Sequence, residues 1–176
     1  MRLIKYLTIL FFICVQTPSW ADDASAKPAP TRTELALFAM GLVGAIYKPG
    51  GDNPSTGMDC SGFVKYVFGE VIGLKLPHNA LAMSKISNEI NKADLKPGDL
   101  VFFKTTKVAF SHVGIYLGDN RFIHAASSRT GVVTISHLDD AYWRDNFNGA
   151  RRLANPVTAL TGTANASINN LPSLSE

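Results

Sequence analysis

Apolar residues recur at helical spacing in the first half of the chain and at strand spacing after residue 99. In the first stretch Leu35, Phe38, Leu42, Val43 and Ile46 share one helical face. Thr31-Arg32-Thr33-Glu34 ahead of them has the spacing of a capping box, which predicts a helix starting there. Residues 48–57 (KPGGDNPSTG) are turn formers throughout and read as a loop that delivers the chain to Asp59. From Cys60 the apolar positions Phe63, Val64, Val67, Phe68, Val71 and Ile72 keep to one stripe of a second helix until Gly73 stops it. Cys60 lies on that stripe, so its thiol is expected to face the protein body at the helix N-terminus, with Asp59 as N-cap. Pro77 opens a more polar helical segment predicted to run to about Ile90.

The period then changes. Lys96-Pro97-Gly98-Asp99 is a turn, Leu100 to Phe103 reads as a buried strand, residues 112–117 and 121–126 alternate, and Val132 to Ser136 forms another short strand. Helices first and strands afterwards predict an α+β fold with an antiparallel sheet. The two ends lack such patterning. Residues 22–31 begin polar and Pro/Ala-rich and read as a linker, residues 32–154 as one domain, and residues 155–176, rich in Ser, Thr, Asn and Ala, as a flexible tail.

Residues 1–21 have the build of a secretory signal peptide: Arg2 and Lys5, then the apolar run LTILFFICV, then small residues before a cut expected after Ala21. That run is shorter than the roughly 20 residues of a membrane span, and no later segment approaches one. The bulky Phe12-Ile13 argues against acylation of Cys14, so a periplasmic or secreted protein is expected rather than one lipid-anchored in the outer membrane. Loss of Arg2 and Lys5 lowers the formal charge from +3 to +1, which leaves no basic excess for nucleic acid. It also leaves Cys60 as the single cysteine of an exported protein, where cysteines usually pair. A functional thiol, intermolecular pairing and an inert buried cysteine are the three readings.

A thiol at a helix N-terminus meets unpaired N–H groups and the positive end of the helix dipole, and both favour the thiolate. A base is still required. Of His78, His112, His124 and His137, the first and last have solvated positions as sufficient explanations. His112, Gly114 and Tyr116 alternate with the core-type Val113, Ile115 and Leu117. If Gly118-Asp119-Asn120 is a three-residue hairpin loop, Gly114 pairs with His124, and His112 and His124 become diagonal neighbours on one face. A two-residue loop would place them on opposite faces. The set suggested is Cys60 as nucleophile, His112 as general base and then acid, and His124 orienting His112. The same three residues would also suit a zinc ion with an open fourth position.

Six blocks, in order, carry a resemblance: YKPGG at 47–51, GMDCSGFVKYVF at 57–68, LP at 76–77, LKPGDLVFF at 95–103, SHVGIYLGDNRFIHA at 111–125 and YWRDNFNGARR at 142–152. Over residues 33–153 the chain resembles the NlpC-type cysteine peptidases of bacterial cell walls, which have a papain-like fold. The resemblance implies Cys60 as nucleophile, His112 as base, His124 as third polar residue and Tyr47 in a supporting role beside the nucleophile. It allows Asp59 and Ser61 contacts to substrate, although capping explains Asp59 equally well. It also implies the stem peptides of peptidoglycan as partner and no metal or other cofactor; a monomer is expected. The chain looks most similar to single-domain Gram-negative murein endopeptidases, which cut the D-alanyl-meso-diaminopimelate cross-link, whereas other members cut γ-D-glutamyl-meso-diaminopimelate. A non-catalytic wall-binding module and an amidase or acyltransferase on the same fold remain as alternatives. Many members have tryptophan where Pro49 stands and most have arginine where His78 stands, and both positions border the cleft.

Overall fold

The computed structural model describes residues 30–127 and 129–153. The signal peptide, nearly all of the linker and the tail expected from sequence lie outside them. The first helix, α1 (Arg32–Met40), begins at Thr31, whose side chain accepts from the Glu34 N–H while the Glu34 carboxylate accepts from the Thr31 N–H. Its buried face is Leu35, Ala36 and Ala39, so of the stripe read from sequence Leu35 is buried and Leu42 half-buried, while Phe38, Val43 and Ile46 are exposed, because the helix stops at Met40 and the chain turns before that stripe repeats. The turn-rich loop then holds a two-stranded ribbon, β1 (Asp52–Asn53) with β2 (Gly57–Met58).

Helix α2 (Cys60–Ile72) has the expected limits, with Asp59 as N-cap and Gly73 in the left-handed conformation that closes it. The polar helix after Pro77 is shorter than expected. Asn79 caps α3 (Ala80–Lys85), and Asn88–Ile90 is instead a strand, β3, because the chain segment Phe147–Arg152 offers it a ladder. The remaining elements are a short 3₁₀ turn (Lys92–Asp94), β4 (Leu100–Phe103), β5 (His112–Gly118), β6 (Arg121–Ala125), β7 (Val133–His137), α4 (Ala141–Asn146) and β8 (Phe147–Arg152).

Six strands form one antiparallel sheet in the order β3-β8-β4-β5-β6-β7, so the last strand returns to sit between β3 and β4. The α+β fold is as expected, with α1 and α2 on one face. There Phe63, Val64 and Val67 pack with Phe102, Val113, Ile115 and Ile123, all fully buried. The opposite face carries a second, aromatic cluster of Phe103, Tyr116, Phe122 and Leu138 under Trp143 of α4. Asp99 is fully buried, and its carboxylate accepts from Arg32 Nη1 (2.8 Å), Arg152 Nε (2.8 Å) and Arg152 Nη2 (2.7 Å). That network ties the start of α1 to β8 across the β4 turn, and its hydrogen bonds compensate the desolvation of the charge.

The β5–β6 hairpin decides which side chains meet. Its turn has two residues, Asp119 and Asn120, both in the left-handed region, and Gly118 pairs with Arg121. By parity alone this would separate His112 from His124. Leu117 is an extra residue, however: the ladder shifts between Tyr116 and Gly118, and Tyr116 pairs with Phe122 and Ile115 with Ile123. The bulge restores the register expected of a three-residue loop, and both histidines project from the same face.

Candidate active site

The site is built around the start of α2. Asp59 Oδ1 accepts from the Gly62 N–H (2.7 Å) and the Ser61 hydroxyl (2.9 Å), while Oδ2 accepts from the Gly50 N–H (3.0 Å). His78 Nε2 lies 3.0 Å from Oδ1, so His78 is joined to the site rather than merely solvated. Burial opposes the Asp59 charge, yet the Gly62 N–H, His78 and Ser61 together hold its carboxyl below the usual range. One carboxylate thus pins three segments around Cys60: the 48–51 loop, the α2 terminus and the entry to α3. Close packing of backbone completes the arrangement. A Cβ on Gly62 would come within 2.0 Å of the Gly51 carbonyl oxygen, so only glycine lets the helix terminus seat on the loop.

Cys60 is a free thiol pressed against the start of β5. Burial pushes it up to about 11, against the pull of the Val113 and Ser61 N–H groups, and the Asp59 charge adds to the push. The thiolate-favouring effect expected of a helix N-terminus is therefore outweighed by the loss of hydration around the half-buried group. His112, 5 % exposed, is pushed down to about 4 by the same burial. Its Nε2 is 2.8 Å from His124 Nδ1, and His124 Nε2 is 3.1 Å from the Ser136 hydroxyl on β7. Burial and the neighbouring His112 push His124 lower still. Both imidazoles rest neutral. Trp143 stacks on His112 at 5.5 Å and meets His124 edge-on at 4.8 Å, excluding water from the relay.

Tyr47 lines the same groove, and burial, with Cys60 and Asp59 next, raises its phenol, which stays a proton donor. The groove is an open cleft of about 350 Å³ between Tyr47, Cys60, His78, Leu81, Val108 and Phe110. Of the residues singled out from sequence, Tyr47, Asp59, Cys60 and Ser61 line it, and His112 and His124 stand together on the sheet, His112 next in sequence to Val113, whose N–H faces the thiol. Ser136 and Trp143 escaped sequence reasoning. Alternation along β7 places Ser136 on the face of His124, but only the β6–β7 register, Phe122 opposite Ser136, brings them together. Among the described residues no group of three His, Cys, Asp or Glu side chains is arranged to hold a metal ion.

Residues 44–152 match the model of the NlpC/P60 family. The chain is 41% identical over 136 residues to a gamma-DL-glutamyl hydrolase of Bacillus subtilis (strain 168), covering 77% of this chain and 32% of that protein. It is 39% identical to murein DD-endopeptidase MepH of Escherichia coli (strain K12), covering 82% of this chain and 56% of that one. It is 45% identical over 111 residues to the probable endopeptidase NlpC of the same strain, covering 62% and 70%. Among solved structures, an NlpC/P60 family protein of Bacillus cereus superposes with a TM-score of 0.65 at 29% identity, over 71% of this chain and 41% of that one. The chain spans at most a little over half the length of the first two of these curated relatives.

Proposed function

Because the chain belongs to the NlpC/P60 family, we propose that it is an exported, periplasmic cysteine peptidase that hydrolyses stem-peptide bonds of peptidoglycan. The preferred bond is the D-alanyl-meso-diaminopimelate cross-link. The observation that carries this reading is the half-buried thiol of Cys60 at the groove and against the start of β5, the strand that also carries His112 of a His112–His124–Ser136 chain linked at 2.8 and 3.1 Å.

The directions of the hydrogen bonds follow from the chemistry. His124 Nε2–H donates to Ser136 Oγ, His112 Nε2–H donates to His124 Nδ1, and the lone pair of His112 Nδ1 is left to accept the Cys60 proton. With both groups neutral at rest, charge separates only as the substrate carbonyl arrives: Sγ attacks the carbonyl carbon while its proton passes to Nδ1. The oxyanion is stabilised by the Cys60 backbone N–H at the helix terminus and the protonated Tyr47 phenol. His112 gives its proton to the leaving amine, which departs and leaves a thioester. Water, deprotonated by His112, then attacks the thioester and frees the carboxylic acid and the thiol.

A second reading, cleavage of the γ-D-glutamyl-meso-diaminopimelate bond by the same steps, is favoured by the similarity to the Bacillus subtilis hydrolase. Digestion of mass-defined muropeptides separates the two. Cross-linked dimers are expected to become monomers with the intact protein and to stay dimers with Cys60→Ala. Stems cut internally would favour the second bond, and cleavage by Cys60→Ala would refute the thiol mechanism.

A further inference from the structure

The groove has a rim that none of this chemistry uses. It is the loop between β4 and β5, and it is held open by an unusual set of restraints. Phe110 has φ +52°, the left-handed region that a bulky aromatic residue adopts only when its surroundings enforce it. The enforcement comes from β8, where the ladder to β4 jumps from Phe102 opposite Gly149 to Phe103 opposite Phe147, leaving Asn148 as a bulged residue. The Asn148 side-chain oxygen accepts from the Phe110 N–H at 2.7 Å. The Phe110 ring meets Phe102 edge-on at 5.5 Å, and the Arg151 guanidinium lies 5.2 Å from its centroid on another side. The Ser111 hydroxyl closes the loop from within, accepting from the Thr105 N–H (3.0 Å) and the Thr106 N–H (3.2 Å). The tip of this braced loop is Val108, an apolar side chain 59% exposed that lines the groove together with Leu81, 36% exposed, and Cys60.

We propose that this rim is a specificity element: Val108 and Leu81 bind the aliphatic portion of the substrate beside the scissile bond, and Phe110 is the positioning residue that holds Val108 there. A preformed apolar lip next to a groove whose polar lining includes Tyr47, Asp59 and His78 matches a peptide whose side chain is a methylene chain ending in charged groups, as in a diamino acid. A loop braced at three points loses little further freedom on binding, so the contact appears as affinity. The inference rests on the peptidase reading above.

The test compares Val108→Asp and Phe110→Gly with the unaltered protein on a cross-linked muropeptide of defined mass, reading kcat and KM separately, with the alkylation rate of Cys60 as a check on the nucleophile. KM is expected to rise about tenfold or more in both variants while kcat and alkylation stay within about twofold. An unchanged KM in Val108→Asp overturns the proposal. So does a loss confined to kcat in both variants. The same substitutions are also made in a Cys60→Ala background and muropeptide binding is measured by calorimetry. If the unaltered protein cleaves nothing, the peptidase reading fails, and the rim proposal then stands or falls on whether Val108→Asp weakens binding by a similar factor.

Discussion

Acidification is expected to unfold this protein through its histidine pair before its carboxylates contribute. His112 ionises at 6.5 in an unfolded chain and only at about 4 in the folded one, because burial disfavours the imidazolium. Between those values the unfolded state binds the proton and the folded state does not, so stability is complete above 6.5 and is lost as pH falls towards 4. That interval, at about 1.4 kcal/mol for each pH unit, amounts to about 3 kcal/mol, a large share of the 5–15 kcal/mol typical of a domain. His124, which burial and His112 push lower still, also takes up its proton only in the unfolded chain over this interval, so it steepens the loss. Asp52 and Asp59 are held below 3.8 and lose their contribution only beneath that, outside the window. Urea denaturation monitored by tryptophan fluorescence at several pH values between neutral and about 4 measures the slope. His112→Gln, which has no proton to gain, should make it shallower while His124 keeps its own share. A flat stability profile in the unaltered protein would refute the argument, and so would a slope left unchanged in His112→Gln.

Two further substitutions test how the relay is assembled. Gly114 is the bare position beside His124: a Cβ there would stand 2.8 Å from Phe122 Cδ2, 2.9 Å from the Ile123 carbonyl oxygen and 3.2 Å from His124 Cβ. Gly114→Ala should therefore destabilise by about 1–3 kcal/mol, read from the denaturation midpoint, and lower kcat; unchanged values of both would show that the sheet gives way freely. Ser136→Ala removes the partner of His124 Nε2. It should lower kcat about tenfold, equivalent to about 1.4 kcal/mol, with KM unchanged, and Ser136→Thr should restore most of it.

Local chemistry written in consecutive residues was readable in the chain itself. The Thr31–Glu34 box starts α1, Asp59 and Gly73 bound α2, and the apolar stripe from Phe63 to Phe68 is its buried face, because caps and helical faces depend on neighbours within about one turn. The antiparallel sheet and the pairing of His112 with His124 were readable for the same reason, since a hairpin joins neighbours in sequence. Less of the remainder was accessible. The Leu117 bulge, which reconciles a two-residue turn with the register that the histidines need, is a choice between ladders that only the assembled sheet makes. The strand character of Asn88–Ile90 and the insertion of β8 beside β4 depend on residues 44 to 64 positions apart. Ser136 and Trp143 reach the histidines only through the β6–β7 ladder and the packing of α4. The protonation of Cys60 depended most on the tertiary structure: a helix terminus favours the thiolate, but burial, with the Asp59 charge adding to it, opposes it more strongly. The sequence by itself determined which local element holds each candidate residue. Only the tertiary structure decided how deeply they are buried and in which charge state they rest, because dehydration is a property of everything packed around a group and of no single stretch of chain.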